Sequence, residues 1–293
     1  MRTRPPDFLF PVVLHPTTLM LDTLKLGFIG GGNMAAALIG GLIAKGAHGA
    51  NIVVVDPTEP ARARAEQTWG ARAAAAPGAE LADRDVIVLA VKPQQMREVC
   101  AQLAPHLGNS LVLSVAAGIR IQDLSRWLNG HARIVRAMPN TPALSGLGMT
   151  GLAANTGLSE VDRATASAVA NAVGKSIWVP AEAQIDAVTA ISGSGPAYVF
   201  YFIEAMQQAA QELGLSAEDG RTLAVETFIG AATLAGQSSE PVEVLRERVT
   251  SKGGTTYAAL TAMEGAGIKA AFVRAMHAAA ARGKEMGEEF GRD

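Results

Sequence analysis

Lys25-Leu-Gly-Phe-Ile-Gly-Gly-Gly-Asn-Met-Ala35 is the stretch that decides the fold. Its first five residues read as a short buried strand, three glycines follow, and Asn33 to Lys45 continues as an apolar, alanine-rich helix. Gly30-Gly-Gly-Asn-Met-Ala35 matches the pattern G-x-G-x-x-A. In that pattern the first glycine permits a tight turn, the second lets backbone approach a pyrophosphate, and the small third residue lets helix and strand pack closely. The start of the helix offers free N–H groups and a positive dipole end to phosphate. Such a loop is weak evidence alone, and its place between a strand and a helix gives it meaning. Gly30, Gly31, Gly32, Asn33, Met34 and Ala35 are therefore candidate dinucleotide contacts.

Further strands are expected at Asn51–Val55, Asp85–Val91, Leu111–Val115, Arg133–Arg136 and Lys175–Val179, with a helix after Pro60. Lys92-Pro93 should stop the third strand, because proline biases its predecessor toward extended geometry. Strands alternating with helical stretches imply an α/β fold, an N-terminal Rossmann-type doubly wound parallel sheet with helices on both faces. From Ile185 onward the pattern is helical: Ala197 to Leu213, closed by Gly214, then Ala217 to Leu234, Thr256 to Met263, and a long last helix through Phe272 and Met286. The expected division is a poorly ordered extension over 1–24, a dinucleotide-binding domain over 25–182 and a C-terminal all-helical domain over 183–293. Helices this rich in small apolar residues suit a dimerisation domain whose faces are hidden by a second copy.

Composition narrows the function. The formal charge of -2, from 25 basic and 27 acidic residues, leaves no electrostatic footprint for nucleic acid or an anionic membrane. The apolar run Phe8–Leu14 is short and broken by Pro11, and no run is a membrane span. One cysteine, Cys100, precludes an internal disulfide or multi-cysteine metal site and fits a reducing, cytoplasmic setting. No metal site is expected.

Several other segments carry candidate chemistry. Asp56 ends the second strand, where a carboxylate accepts from the ribose 2′-hydroxyl of NAD and repels the 2′-phosphate of NADP. Arg62 and Arg64, just beyond, suit that phosphate instead, and Asp56 also suits a cap of the turn before Pro57, so coenzyme choice stays open at this point. Ala90, Val91 and Lys92 end a central strand at the edge where nucleotides bind in such sheets. The small residues Ser114 to Gly118, Ala117 among them, fit either close coenzyme approach or helix packing. Met138-Pro-Asn-Thr-Pro142 is a rigid loop that aims Asn140, a candidate coenzyme contact, and Thr141, or an ordinary Asx turn. Ser192-Gly-Ser-Gly-Pro196 opens the strongest later helix, with Pro196 in its first turn and Ser194 as N-cap or substrate contact.

Val249-Thr-Ser-Lys-Gly-Gly-Thr-Thr256 combines N–H donors at Gly253, Gly254 and Thr255 with hydroxyls at Ser251, Thr255 and Thr256 and a helix dipole behind them. That set suits a small carboxylate. The five histidines lie outside all these motifs. A ketone reductase commonly uses histidine to protonate the forming alkoxide, whereas a cyclic imine enters as an iminium and leaves as an amine. The residues therefore fit imine reduction better than ketone reduction.

With these motifs the chain resembles pyrroline-5-carboxylate reductase from about Leu26 to Phe290. The marks are Phe28–Ala35, Ala90-Val-Lys-Pro93, Met138–Pro142, Ser192-Gly-Ser-Gly-Pro-Ala-Tyr198 and Val249–Thr256. The resemblance implies reduction of 1-pyrroline-5-carboxylate to L-proline with NADPH, or NADH, by a homo-oligomer built from interlocked dimers. It also implies that Thr256 hydrogen-bonds the ring nitrogen while Ser251, Gly253, Gly254 and Thr255 hold the carboxylate. Lys252 stands where a proline is common in that loop, Asp56 where a small or basic residue is common, and the N-terminal extension lies outside the family pattern.

Overall fold

The computed structural model describes residues 21–292. Most of the expected extension, residues 1–20, lies outside them. Residues 21–24 form a turn packed on the first domain: Leu24 is buried, and the Asn51 amide donates to the Asp22 carbonyl at 2.8 Å. The packed chain thus begins ahead of Lys25.

The sheet has eight strands: β1 (Leu26–Ile29), β2 (Ile52–Val55), β3 (Arg72–Ala74), β4 (Val86–Leu89), β5 (Leu111–Ser114), β6 (Ile134–Met138), β7 (Gly148–Ala154) and β8 (Gly174–Trp178). Their order is β3-β2-β1-β4-β5-β6-β7-β8. Every residue of β1, β2, β4 and β5 is buried, as expected where helices cover both faces. Two apolar clusters divide the alternating side chains. Leu26, Phe28, Val54 and Val88 pack with Leu38 and Leu42 of α1 (Asn33–Ala44). Ile29, Val53, Ile87 and Leu89 pack with Met96 and Leu103 of α3 (Met96–Leu103) and Leu124 of α4 (Ile121–Trp127). Between α1 and α3, α2 (Glu59–Trp69) links β2 to β3.

The sheet is the expected doubly wound, mainly parallel one, with one antiparallel pair. β7 runs antiparallel to β6, although β8 is again parallel to β7. The β6–β7 connection holds only a short 3-10 turn, Thr141–Ser145. A parallel return needs a crossover of a dozen or more residues, and α5 (Glu160–Ala170) provides one between β7 and β8.

The second half is helical: α6 (Ile185–Val188), α7 (Gly195–Glu212), α8 (Ala217–Gln237), α9 (Val242–Arg248), α10 (Thr255–Gly265) and α11 (Ile268–Phe290). Thr189–Gly193 winds as a π-helical turn between α6 and α7. Ser194 is itself helical (φ -88°, ψ -15°) and makes no side-chain cap bond. It occupies the expected N-cap position, between the π turn and α7, but caps by place alone, without a side-chain bond.

Several junctions join the halves, two of them through charged or terminal contacts. Arg136 on β6 is buried and pairs with Glu182 at 3.3 Å and Asp186 at 3.4 Å. The end of α11 returns to the first domain, where Phe290 packs against the second cluster and Arg126 donates to the Gly291 carbonyl at 2.8 Å. By contrast α7 and α10 contain no buried residue, and Phe200, Tyr201, Leu223, Ile229 and Leu234 are all exposed. Contiguous apolar surface on that scale marks an association face.

Candidate active site

The glycine loop lies at the carboxyl end of β1. Gly30 has φ +96°, and its N–H donates to the Val55 carbonyl at 2.7 Å. A Cβ there would lie 2.8 Å from the Ala90 carbonyl, so only glycine fits the crossing of β1, β2 and β4. Gly32 differs. It is the N-cap of α1 with φ -68°, it has no side-chain cap, and an added Cβ would meet nothing within 4 Å. Its front is open, and the first N–H groups of α1, from Asn33 onward, have no intrahelical acceptor. No acidic residue occupies that first turn. Ala35 is fully buried and Met34 packs against the same core. The loop therefore fits a pyrophosphate.

Asp56 ties the loop to β2. Its Oδ2 accepts from Gly31 N–H at 2.8 Å, and its Oδ1 accepts from the Thr58 N–H at 2.8 Å and hydroxyl at 2.5 Å. Partial burial works to raise this carboxyl, but the bonds from Thr58 and Gly31 and the charge of Arg62 outweigh it, holding the group below its ordinary value. Asp56 is thus ionised at neutral pH and both caps the turn and faces the loop. Arg62 donates to the carbonyls of Asp56 at 2.9 Å and Pro57 at 2.8 Å, and Arg64 donates to the Gly31 carbonyl. Arg62 therefore braces the turn after β2 and Arg64 the glycine loop, roles the sequence did not suggest. Replacing Asp56 by Ala is expected to lower stability at pH 7 by about 1–2 kcal/mol, reduced by partial exposure. Because the folded pKa is depressed, this contribution is present above the unfolded value, 3.8, and disappears as pH falls through the lower folded value. Denaturant titrations of both proteins should converge as pH is lowered from 7 past 3.8 and through the depressed folded value.

Ala90, half-buried, continues from β4 and donates its N–H to Ile29 at 2.8 Å. Val91 is half-buried and Lys92 exposed beyond it. Ala117 is half-buried in the loop after β5, where its neighbour Gly118 packs on Met286 and Phe290 of α11. Helix packing thus accounts for at least part of that small-residue segment. Asn140 donates to the Ser192 carbonyl and hydroxyl, each at 3.2 Å, and accepts from Met149 N–H at 2.9 Å. The structure thereby brings the β6–β7 loop to the Ser192–Pro196 segment, and beside them lies a largely apolar groove of about 610 Å³ that also includes Tyr198 and Phe272. A cavity of about 700 Å³ at the amino ends of the strands lies on the opposite edge, and its Arg133 is paired with Asp162 there.

The second cradle precedes α10. Gly253 has φ +74° and Gly254 is the N-cap, without a side-chain cap or an acidic residue in the first turn. One expected donor is corrected: Gly254 N–H bonds to the Ser251 carbonyl at 3.0 Å, closing the turn. The open donors are those of the first turn of α10, beginning at Thr255. Ser251, Lys252 and Thr255 are exposed and Thr256 half-buried. Among the described residues no hydrogen bond joins 249–256 to the glycine loop, and the groove at the domain junction is not lined by them. Burial pushes the Cys100 thiol up to about 12, so it is no thiolate nucleophile. Among the described residues no His, Cys, Asp and Glu group is arranged to hold a metal, and no helix is long and apolar enough to cross a membrane.

A pyrophosphate loop at the carboxyl edge of a doubly wound sheet, joined to a helical half with its own amide cradle, defines a nicotinamide-dependent oxidoreductase. A family model described as pyrroline-5-carboxylate reductase dimerisation matches residues 182–286, and one described as NADP oxidoreductase, coenzyme F420-dependent, matches residues 25–118. A pyrroline-5-carboxylate reductase of Pseudomonas aeruginosa is 45% identical over 92% of this chain and 100% of its own length. The structure of such a reductase from Coxiella burnetii superposes with a TM-score of 0.86 at 40% identity, covering 90% of this chain and 98% of that one. That of the Plasmodium falciparum reductase with NADP bound gives 0.80 at 31% identity, covering 91% and 99%. The chain belongs to the pyrroline-5-carboxylate reductase family.

Proposed function

We propose that this chain reduces the C=N bond of 1-pyrroline-5-carboxylate, giving L-proline, at the expense of NAD(P)H. The observation that carries the reading is full-length kinship with these reductases in a chain that keeps both amide cradles, one open at Gly32 and one at Thr255. When bound, the reduced nicotinamide supplies the hydride. The loop Gly30–Ala35 holds the pyrophosphate, with Asp56 and Arg62 at the ribose end and Ala90, Val91, Lys92 and Ala117 along the strand edge. Ser251, Gly253 and Thr255 hold the substrate carboxylate, Gly254 shapes their turn, and Thr256 hydrogen-bonds the ring nitrogen. Ser194 borders the ring from the start of α7. A protonated imine needs positioning more than a strong acid, which suits a site of hydroxyls and amides.

The cradle at α10 is furnished to the nucleotide domain by a second copy, in interlocked dimers. The absence of residues 249–256 from the lining of the junction groove and the exposed apolar side chains of α7 and α8 support this arrangement. Bacterial kinship and a single cysteine support a cytoplasmic setting. The test follows nicotinamide absorbance with NADPH and NADH in parallel. Oxidation that depends on pyrroline-5-carboxylate and yields equimolar L-proline is expected; no consumption of either coenzyme would overturn the reading.

A further inference from the structure

The helical run α6, π turn and α7 contains a defect that the chain repairs from elsewhere. In a continuous α-helix the Ser192 carbonyl accepts from the residue four positions on, and that residue is Pro196, which has no N–H. The π alternative, Ala197 N–H, bonds to the Ser194 carbonyl at 3.1 Å instead. Asn140 provides the missing donor: its Nδ2 lies 3.2 Å from both the carbonyl and the hydroxyl of Ser192. Its orientation is fixed, because Oδ1 accepts at 2.9 Å from Met149 N–H, which can only donate. Met138, the last residue of β6, closes on the turn, its Cε standing 2.5 Å from where a Cβ on Gly193 would be. The end of β6 and the loop after it thus clamp one π turn of the helical half.

We propose that Asn140 is a positioning residue that replaces the proton donor Pro196 removes. It thereby fixes the π turn, and with it Ser194 and the start of α7, against the nucleotide domain. This departs from its expected role as a coenzyme contact and rests on the reductase reading above. π turns occur frequently at functional sites, and misplacement of about 1 Å costs about 100-fold in rate.

Two variants test the assignment, Asn140→Ala and the same change combined with Pro196→Ala, which restores an N–H four residues beyond Ser192. Asn140→Ala is expected to lower kcat about 10- to 100-fold. Coenzyme Kd should remain unchanged, and amide hydrogen exchange should accelerate over 189–197 but not over 30–35. The double variant should regain protection at 189–197 and part of the lost kcat. Any of three results overturns the proposal: a coenzyme Kd that rises in step with the loss of kcat, a lowered Tm with kcat intact, or a double variant no better protected than the single one. Wild-type turnover bears on the reductase reading alone, and the exchange measurements judge Asn140 independently of it.

Discussion

Gly32→Val is expected to abolish measurable coenzyme binding while leaving the protein folded. The two halves of this expectation come from one position. Gly32 has φ -68° in extended geometry that valine adopts without strain, and an added Cβ meets nothing within 4 Å. Valine is a poorer N-cap than glycine, and the exchange costs about 1 kcal/mol, too little to unfold the domain. The new side chain, however, projects in front of the first N–H groups of α1, the donors a pyrophosphate must reach. Losing that approach should weaken NADPH and NADH alike by at least about 100-fold, or about 2.8 kcal/mol. Nicotinamide fluorescence titration measures the affinity and thermal unfolding measures the fold. Gly30→Val is the contrasting control, because φ +96° and an Ala90 carbonyl 2.8 Å from the new Cβ make it a folding defect. Undiminished binding by the Gly32 variant would remove the glycine loop from the coenzyme site.

What the sequence made legible follows the side chains that carry signal. β1, β2, β4 and β5 read clearly because runs such as Ile52-Val-Val-Val55 are both β-branched and buried. β3 and β7, Arg72-Ala-Ala74 and Gly148-Met-Thr-Gly-Leu-Ala-Ala154, escape notice because alanine and glycine have little strand preference, and their neighbours in the sheet decide their conformation. The Ser192–Pro196 segment contains every cue for a helix start, and α7 does start at Gly195, yet Ser194 makes no side-chain cap bond and the chain enters the helix from a π turn over Thr189–Gly193. The cues were local, whereas the bond that settles the geometry comes from Asn140, far away in sequence. At the coenzyme end the motif residues were legible one by one. The bond from Gly31 to Asp56 and the bracing by Arg62 and Arg64 were not, since they depend on how β1 and β2 align. Near α10 the sequence pointed to consecutive donors, but only the fold shows that Gly254 N–H is turned back on Ser251.

Thr256→Ala should lower kcat about 100-fold, the scale found when one donor to a transition state is removed, while coenzyme affinity stays at the wild-type value. The larger consequence concerns which copy contributes the residue. Thr256 stands in the first turn of α10; among the described residues neither that turn nor the loop before it hydrogen-bonds to the glycine loop of its own chain, and α7 and α8 expose the apolar side chains that a partner would cover. If the second copy supplies the cradle, a Gly32→Val chain keeps a sound cradle and a Thr256→Ala chain keeps a sound coenzyme loop. Each is inactive alone, yet a dimer of the two has one intact site and one doubly damaged site. Refolding an equal mixture pairs unlike chains in about half the dimers, so about one quarter of wild-type activity should return. That fraction does not depend on how the dimers assemble further, because the intact sites are counted per pair. A site built within one chain admits no such recovery, since every copy then carries its own defect. Recovery near a quarter would place the coenzyme and the carboxylate cradle on different chains; activity that stays at the level of the separate variants would return Thr256 to its own nucleotide domain.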